Sequence, residues 1–449
     1  MCQIRATPGT NYSISREEYA PDSESSIMPR LVAVHSFDMR RRTALKNIFC
    51  GTAFSIPYLA RRGILATFSP LPTFSFNDEI DTVERKAMAS VAEDFMRSFD
   101  APALSVAIAH NGRFVYEQAF GVTSRKTREE LTASCLFRIA STSKPITSAA
   151  IFDLIEKGRL RSEDKVFGEH GILRGDYGRR PYRQWVEQIT IDHLLTHTGG
   201  GWNNGPDDPM FSNPGMNHAE LISWTLNSQP LANPPGTVFA YSNFGYCVLG
   251  RVIEKVTRQS YSDHVRNTIL SPCGITDMRI AGNTIEDRAA REVTYYGQNG
   301  ENPYGMNVTR MDSHGGWLAT PSDLVQFAAH IDGFDSKRNI LKAETIRMMA
   351  APNNVNPNYA RGWRVNPKGH WWHLGSLPGT TAIVVRTSSD FCWAALTNTR
   401  RQPEEEMDGA LDQMVWDMVL KVNAWRAAIA QDVLPHGEER TAFCLSYPR

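Results

Sequence analysis

The chain has 449 residues, enough for a large buried core and for two or three domain-sized units. Its 41% hydrophobic and 21% charged content is that of an ordinary soluble globular protein, and no internal repeat or low-complexity block interrupts it. Lys+Arg and Asp+Glu both number 48, so a formal net charge of zero gives no electrostatic reason to expect nucleic acid or an anionic membrane as partner.

Residues 1–38 are polar, rich in Ser, Glu, Pro and Arg, and without periodicity. They read as disordered or as lying upstream of the true start. From Met39 the chain runs MRRRTALKNIFCGTAFSIPYLA, an Arg-Arg-x-x-Leu-Lys run before a short apolar stretch. Residues 39–66 therefore resemble a twin-arginine export signal, which implies a periplasmic or extracellular location. The alternative is a basic surface segment followed by a buried one in a cytoplasmic protein. Ile48 to Ala60 is too short to span a bilayer and contains Pro57.

Organised structure is expected over about 80–430, with 431–449 as a tail. Val83, Ala87, Val91, Phe95 and Phe99 recur at four-residue steps, so 81–99 reads as an amphipathic helix. Two alternating runs, Ala103–His110 and Arg113–Ala119, flank Asn111-Gly112, the dipeptide of a tight β-hairpin. Near the other end, Thr381–Thr387 and Phe391–Asn398 form a second strand pair about a Ser-Ser-Asp turn. A last helix follows Pro403, with Met407, Leu411, Met414, Val415, Met418 and Val422 on one face. Glu404–Glu406 suit the positive end of its dipole. The middle, roughly 137–365, is mostly helix and loop. The economical architecture is α/β in the α+β sense: one antiparallel sheet built from both ends, flanked by N- and C-terminal helices, with a helical insert at about 160–330. The seven cysteines, at 2, 50, 135, 247, 273, 392 and 444, form no C-x-x-C pair; they read as buried free thiols, with a disulfide left open because irregular spacing fixes no pairing.

FRIASTSKPIT, from Phe137 to Thr147, leads into SAAIFDLIEKG, which is apolar nearly all round and ends at Gly158. A buried helix starting near Ser141 fits, since Pro145 is tolerated in a first turn whose amides lack intrahelical partners. Ser141 and Lys144, three apart, then share a face. A serine hydroxyl needs a base to become a nucleophile. Lysine is that base only if its pKa falls sharply from about 10.4, which burial accomplishes. S-x-x-K alone is weak evidence, because a chain this long contains about one by chance. Ser162-x-x-Lys165 is a second copy, in the polar stretch RSEDK, and reads as a solvated turn.

PPGTVFAYSNFGYCVLG, from Pro234 to Gly250, shifts the balance. Tyr241-Ser242-Asn243 is the only Y-x-N in the chain and falls in a turn before a helix. With these two elements the chain resembles the serine β-lactamase and penicillin-binding superfamily, in its class C-like branch of D,D-carboxypeptidases, D-aminopeptidases and related esterases. That family orders S-x-x-K, Y-x-N and then K-T-G or H-x-G on a strand. The H-x-G candidates for this third element are His197-Thr198-Gly199, His314-Gly315-Gly316 and His373-Leu374-Gly375. Order and strand context select His373. The resemblance covers about 82–425.

The resemblance implies a covalent acyl-enzyme on Ser141, with Lys144 and Tyr241 sharing the proton traffic and Tyr241 activating water for deacylation. Asn243 would bond the acyl side chain and the lysine, and the backbone amides of Ser141 and Ser376 would form the oxyanion hole. His373, Gly375 and Ser376 would line the substrate site. The chain departs from the family in carrying His373-Leu374 where β-lactamases commonly have Lys-Thr. That removes a hydroxyl donor for a substrate carboxylate and places a histidine that is neutral part of the time near pH 7. Ester, D,D-peptide and β-lactam substrates all remain open, as small-molecule or peptide-like acyl donors. Competing readings are a penicillin-binding sensor that acylates without turnover, an acyltransferase, and a catalytically dead homologue. No cofactor is implied. His193-x-x-x-His197 has the spacing of a zinc pair but lacks the glutamate of H-E-x-x-H, so no metal is expected. Trp202, Trp371 and Trp372 are candidates for an acyl pocket or for core packing.

Overall fold

The computed structural model describes residues 80–429, so the expected extension, export segment and tail lie outside the described residues. Helix α1 (Thr82–Phe99) starts at Asp81, whose side chain accepts from the Glu84 amide while Glu84 reaches back to the Asp81 amide. Such a cap contributes about 1 kcal/mol. Its buried stripe is Met88, Ala92, Phe95 and Phe99, whereas Val83 is 75% exposed. The expected series of four-residue steps therefore fails at its N-terminal end. Each such step overshoots the turn by about 40°, and a stripe that stays on one face must mix threes and fours.

Strands β1 (Ala103–His110) and β2 (Arg113–Gly121) join through Asn111 and Gly112, both at positive φ as a mirror-image turn requires. Four later strands complete the sheet: β3 (Arg364–Val365), β4 (Trp371–Leu377), β5 (Thr380–Arg386) and β6 (Phe391–Thr397). The order is β2-β1-β6-β5-β4-β3, antiparallel throughout, so the first hairpin docks on the last strand. All but the last residue of β1 are buried, because both faces of the sheet are covered. Its alternation is one of size. Leu104, Val106 and Ile108 enter the cluster formed with α1 and the C-terminal helix α5 (Glu404–Val419), which contributes Met407, Leu411, Met414 and Met418. Ala103, Ala107 and Ala109 face the opposite cluster, where small side chains let helix α4 (Pro321–Ala329) lie against β1 and β6.

Between β2 and β3 lie helices α2 (Ser143–Glu156) and α3 (Asn243–Thr257), packed against each other in that second cluster. Every residue of α2 from Ser143 to Leu154 is buried, as its uniformly apolar sequence foretold. The region also holds a small sheet of Phe137–Arg138, Trp317–Ala319 and Arg279–Ile280, which the sequence reading did not anticipate. Two-residue strands are too short to show a period. The architecture is α/β: an antiparallel sheet packed against N- and C-terminal helices, with a helical insert.

Candidate active site

Ser141 sits in a single 3₁₀ turn, Ala140–Thr142, that feeds directly into α2. The turn is held from several sides. The Ile139 amide donates to Trp317 O (3.0 Å), and the Thr142 hydroxyl donates to Ile139 O (2.7 Å). Ala140, just before the serine, has φ +47°, a left-handed conformation that costs a non-glycine residue about 1–2 kcal/mol.

Lys144 is wholly buried, one turn into the helix. Its Nζ lies 2.9 Å from Ser141 Oγ, 2.8 Å from Asn243 Oδ1 and 3.1 Å from His314 O. Burial pushes its pKa well below the usual lysine range, with Asp208 opposing it. A neutral amine has two N–H groups and one lone pair. The carbonyl oxygens of Asn243 and His314 can only accept, so they take the two N–H groups. Of these three partners only the Ser141 hydroxyl carries a proton, and the lone pair is left to face it.

Asn243, the first residue of α3, has its amide orientation set by the other end. Its Nδ2 donates to Asp208 Oδ2 (2.9 Å) and Asn204 Oδ1 (3.2 Å). Both N–H groups are thus engaged, and Asn243 itself lines the cavity with Ser141 and Tyr241. Asn204 lines the cavity as well. Asp208 is the residue the sequence did not reveal. It caps a short helix through the Met210 amide (2.8 Å) and lies behind the lysine. Burial pushes its carboxyl up to about 6, opposed by its bonds from Asn243 and Met210 and by Lys144.

Tyr241 lines the cavity with Ser141, and Lys144 Nζ lies 4.7 Å from its ring centroid. His197 grips it from behind. The Ala240 amide donates to His197 O (2.8 Å), the Ser242 amide to His197 Nδ1 (3.0 Å), and the two rings are 4.2 Å apart. The backbone is therefore pinned on both flanks of Tyr241. The H-x-G that chain order set aside is structurally part of the site, and so is His314, through its carbonyl.

Strand β4 carries the third motif past the serine turn. Gly375 is required by contact: a Cβ there would fall 2.2 Å from Ile139 O. This close approach sets Ser376 beside Ser141, and both line the cavity. His373 does not reach it. The ring is 2% exposed, with Nδ1 2.6 Å from Leu374 O and Nε2 3.2 Å from the Tyr359 hydroxyl. Burial first, and Lys144 second, push its pKa well below 6.5, so it is neutral at pH 7 and not only for part of the time. Leu374 takes the cavity-facing position beside Ser376.

The cavity has a volume of about 450 Å³. Phe211, Met306, Met311, Leu374 and Leu377 give it apolar wall; Asn204, Asn302, Arg400 and Asp408 are polar. Arg400 is paired with Glu301 and donates to Ser376 Oγ (3.3 Å). None of the three candidate tryptophans is among these lining residues. Trp202 is buried on Phe244 and donates to Gln229 O, Trp371 packs on Trp363 beneath Arg386, and Trp372 joins the helix-covered face of the sheet. His193 closes a capping box on Thr190 and shares no ligand set with His197; among the described residues no cluster of three or more metal-ligating side chains occurs. Cys135, Cys247, Cys273 and Cys392 are buried free thiols.

A profile of the Beta-lactamase family matches residues 88–414. The chain is similar to a penicillin-binding protein of Bacillus subtilis (strain 168), 28% identical over 312 residues that cover 63% of this chain and 64% of that one. It is also similar to protein flp of Staphylococcus aureus (strain MRSA252), 23% identical over 302 residues, 66% of this chain and 59% of that one. The chain thus spans about three fifths of the length of these curated relatives. Among solved structures, D-amino acid amidase from Ochrobactrum anthropi SV3 complexed with L-phenylalanine amide shares the fold at TM-score 0.63 and 21% identity, over 77% of this chain and 100% of that one. A β-lactamase/D-alanine carboxypeptidase from Yersinia pestis does so at TM-score 0.58 and 18% identity, over 75% and 99%.

Proposed function

Because the chain belongs to the Beta-lactamase family, we propose that it is a serine hydrolase that forms a covalent acyl-enzyme on Ser141 and hydrolyses an ester or amide. The observation that carries this reading is the buried Lys144 amine, whose lone pair has Ser141 Oγ, at 2.9 Å, as its proton-bearing neighbour. Lys144 takes the hydroxyl proton as Oγ attacks the carbonyl carbon. The developing oxyanion is received by the backbone amides of Ser141 and Ser376, which Gly375 brings side by side. Collapse expels the alcohol or amine, which leaves with the proton. Tyr241 then activates the water that releases the acid.

The cavity supports an uncharged or apolar acyl donor. Where the family pattern has a lysine and a threonine, this chain has a neutral, buried imidazole and a leucine that lines the wall. The D-amino acid amidase and the D-alanine carboxypeptidase that share the fold make a small amide of a D-amino acid a reasonable first substrate beside short-chain esters.

The test is Ser141→Ala, assayed against nitrophenyl esters, D-amino-acid amides, D-Ala-D-Ala peptides and β-lactams, with a fluorophosphonate adduct sought by mass spectrometry. We expect turnover to fall at least about 10³-fold and the single adduct to disappear. Wild-type turnover in the variant overturns the assignment. A wild-type adduct that never hydrolyses with any of these substrates would favour a sensor that acylates only.

A further inference from the structure

Four hydrogen bonds behind Tyr241 form a chain whose direction can be worked out from its two ends. At one end the Ser242 amide donates to His197 Nδ1 (3.0 Å). An amide only donates, so Nδ1 carries no proton and, in a neutral ring, Nε2 does. His197 Nε2–H therefore donates to the Tyr359 hydroxyl, 3.0 Å away. At the other end His373 Nδ1 lies 2.6 Å from Leu374 O. A carbonyl only accepts, so Nδ1 carries the proton and Nε2 is a bare acceptor, 3.2 Å from the same tyrosine oxygen. Tyr359 also meets Tyr246, whose own proton goes to Leu195 O (2.9 Å). Between a phenol oxygen and an imidazole nitrogen, the nitrogen is the better base and takes the Tyr359 proton.

We propose that Tyr359 is a positioning residue for Tyr241, joining the Tyr241-Ser242-Asn243 turn to the His373 strand by accepting from His197 and donating to His373. The inference rests on the acyl-enzyme reading of Ser141 and Tyr241. Every member is buried: His197 is 1% exposed, Tyr359 2% and His373 2%. Neither histidine has freedom to choose its tautomer, since each is committed by a backbone group. Tyr359 is the one side chain that satisfies both. Through it, His197 is held flat enough to grip the backbone on both sides of Tyr241. The two lexical H-x-G motifs at 197 and 373 thus act as one unit, with Tyr359 between them.

The test variant is Tyr359→Phe, which keeps the ring and removes both bonds. If Tyr241 serves deacylation, loosening it slows that step more than acylation. With a short-chain nitrophenyl ester, kcat is expected to fall about 10–100-fold and KM to fall with it, and the acyl-enzyme to accumulate in quenched samples by mass spectrometry. A loss confined to folded fraction would lower apparent kcat at constant KM without accumulation, and that result overturns the proposal. Should the variant not fold, the wild-type protein decides by two-bond ¹H–¹⁵N NMR of the imidazoles at pH 7. His197 is expected as the Nε2–H tautomer and His373 as the Nδ1–H tautomer; either one reversed overturns the chain. Reversed tautomers in an active enzyme that depends on Ser141 sink only this inference, whereas activity that survives Ser141→Ala sinks the parent reading.

Discussion

Gly375→Ala tests how closely the third motif must approach the serine. A methyl at this position would lie 2.2 Å from Ile139 O, about 1 Å inside ordinary van der Waals contact. The clash cannot be relieved on the strand side, because β4 is zipped to β5 over the seven positions from Trp371 to Leu377. It falls on the turn that carries Ser141. There Ala140 is already at φ +47°, its Cβ would be 3.2 Å from the new methyl, and Ile139 is tied to Trp317. On the proposed acyl-enzyme reading, a displacement of about 1 Å between the Ser141 hydroxyl and the amides of Ser141 and Ser376 is worth about 100-fold in rate, or roughly 2.7 kcal/mol of transition-state stabilisation. Overpacking should also cost about 1–3 kcal/mol of stability. The assay is kcat/KM on a short-chain nitrophenyl ester, with thermal unfolding and circular dichroism to check the fold. A kcat/KM within about threefold of wild type, at unchanged melting temperature, would refute the argument that this contact sets the site.

Two further substitutions probe the charges around the lysine. Asp208 raises the pKa of Lys144, so Asp208→Asn lets the amine lose its proton at lower pH. The acid limb of the kcat/KM profile should therefore move to lower pH in the range above about pH 6, where Asp208 is charged. A limb that stays in place there excludes the carboxylate from the proton balance. Arg251→Met addresses the buried pair with Asp312, whose Oδ2 is 2.6 Å from Arg251 Nη2. Burial alone would raise the Asp312 carboxyl, but Arg251 and His218 outweigh it and hold it at about 2. Its folded pKa lies below the unfolded value of about 3.9, so its stabilisation is present above about pH 4 and lost as pH falls through about 2. The variant should lose about 3–5 kcal/mol at pH 7 in urea titration and unfold in acid at higher pH than wild type. A loss under about 1 kcal/mol would show the pair to be dispensable.

The parts legible in the sequence were those encoded within a few residues. Asn111-Gly112 fixes its hairpin locally, and Ser141 and Lys144 meet because three residues on a helix share a face. Met407 to Val422 announce a buried stripe by period alone. What stayed hidden was carried by tertiary contact. Asp208 reaches Lys144 only through Asn243, 35 residues further on, and an aspartate in a Pro-Asp-Asp-Pro loop reads as a turn residue. Tyr359 meets His197 across 162 residues, with no local pattern to link them. His373 was placed on the correct strand by motif order, yet order says nothing about which side of the strand faces the cavity. The phase error at Val83 has a similar origin: a short series of matching steps does not say where on the helix the core begins.

The sheet order has a consequence for how this chain comes into being. The Ala103 amide is bonded to the side chain of Asn398, 295 residues later, and β1, already paired with β2, has its second neighbour only when β6 arrives. Closing a loop of that size costs about 5 kcal/mol of chain entropy before any contact rewards it. A ribosome therefore releases Ser141 and Lys144 long before Gly375 and Ser376 exist. Until the last hairpin slots between the first one and β4, the serine has an amine beside it but no second amide to face. Reactivity toward acyl donors would then appear late and all at once, at the moment the two ends of the domain meet.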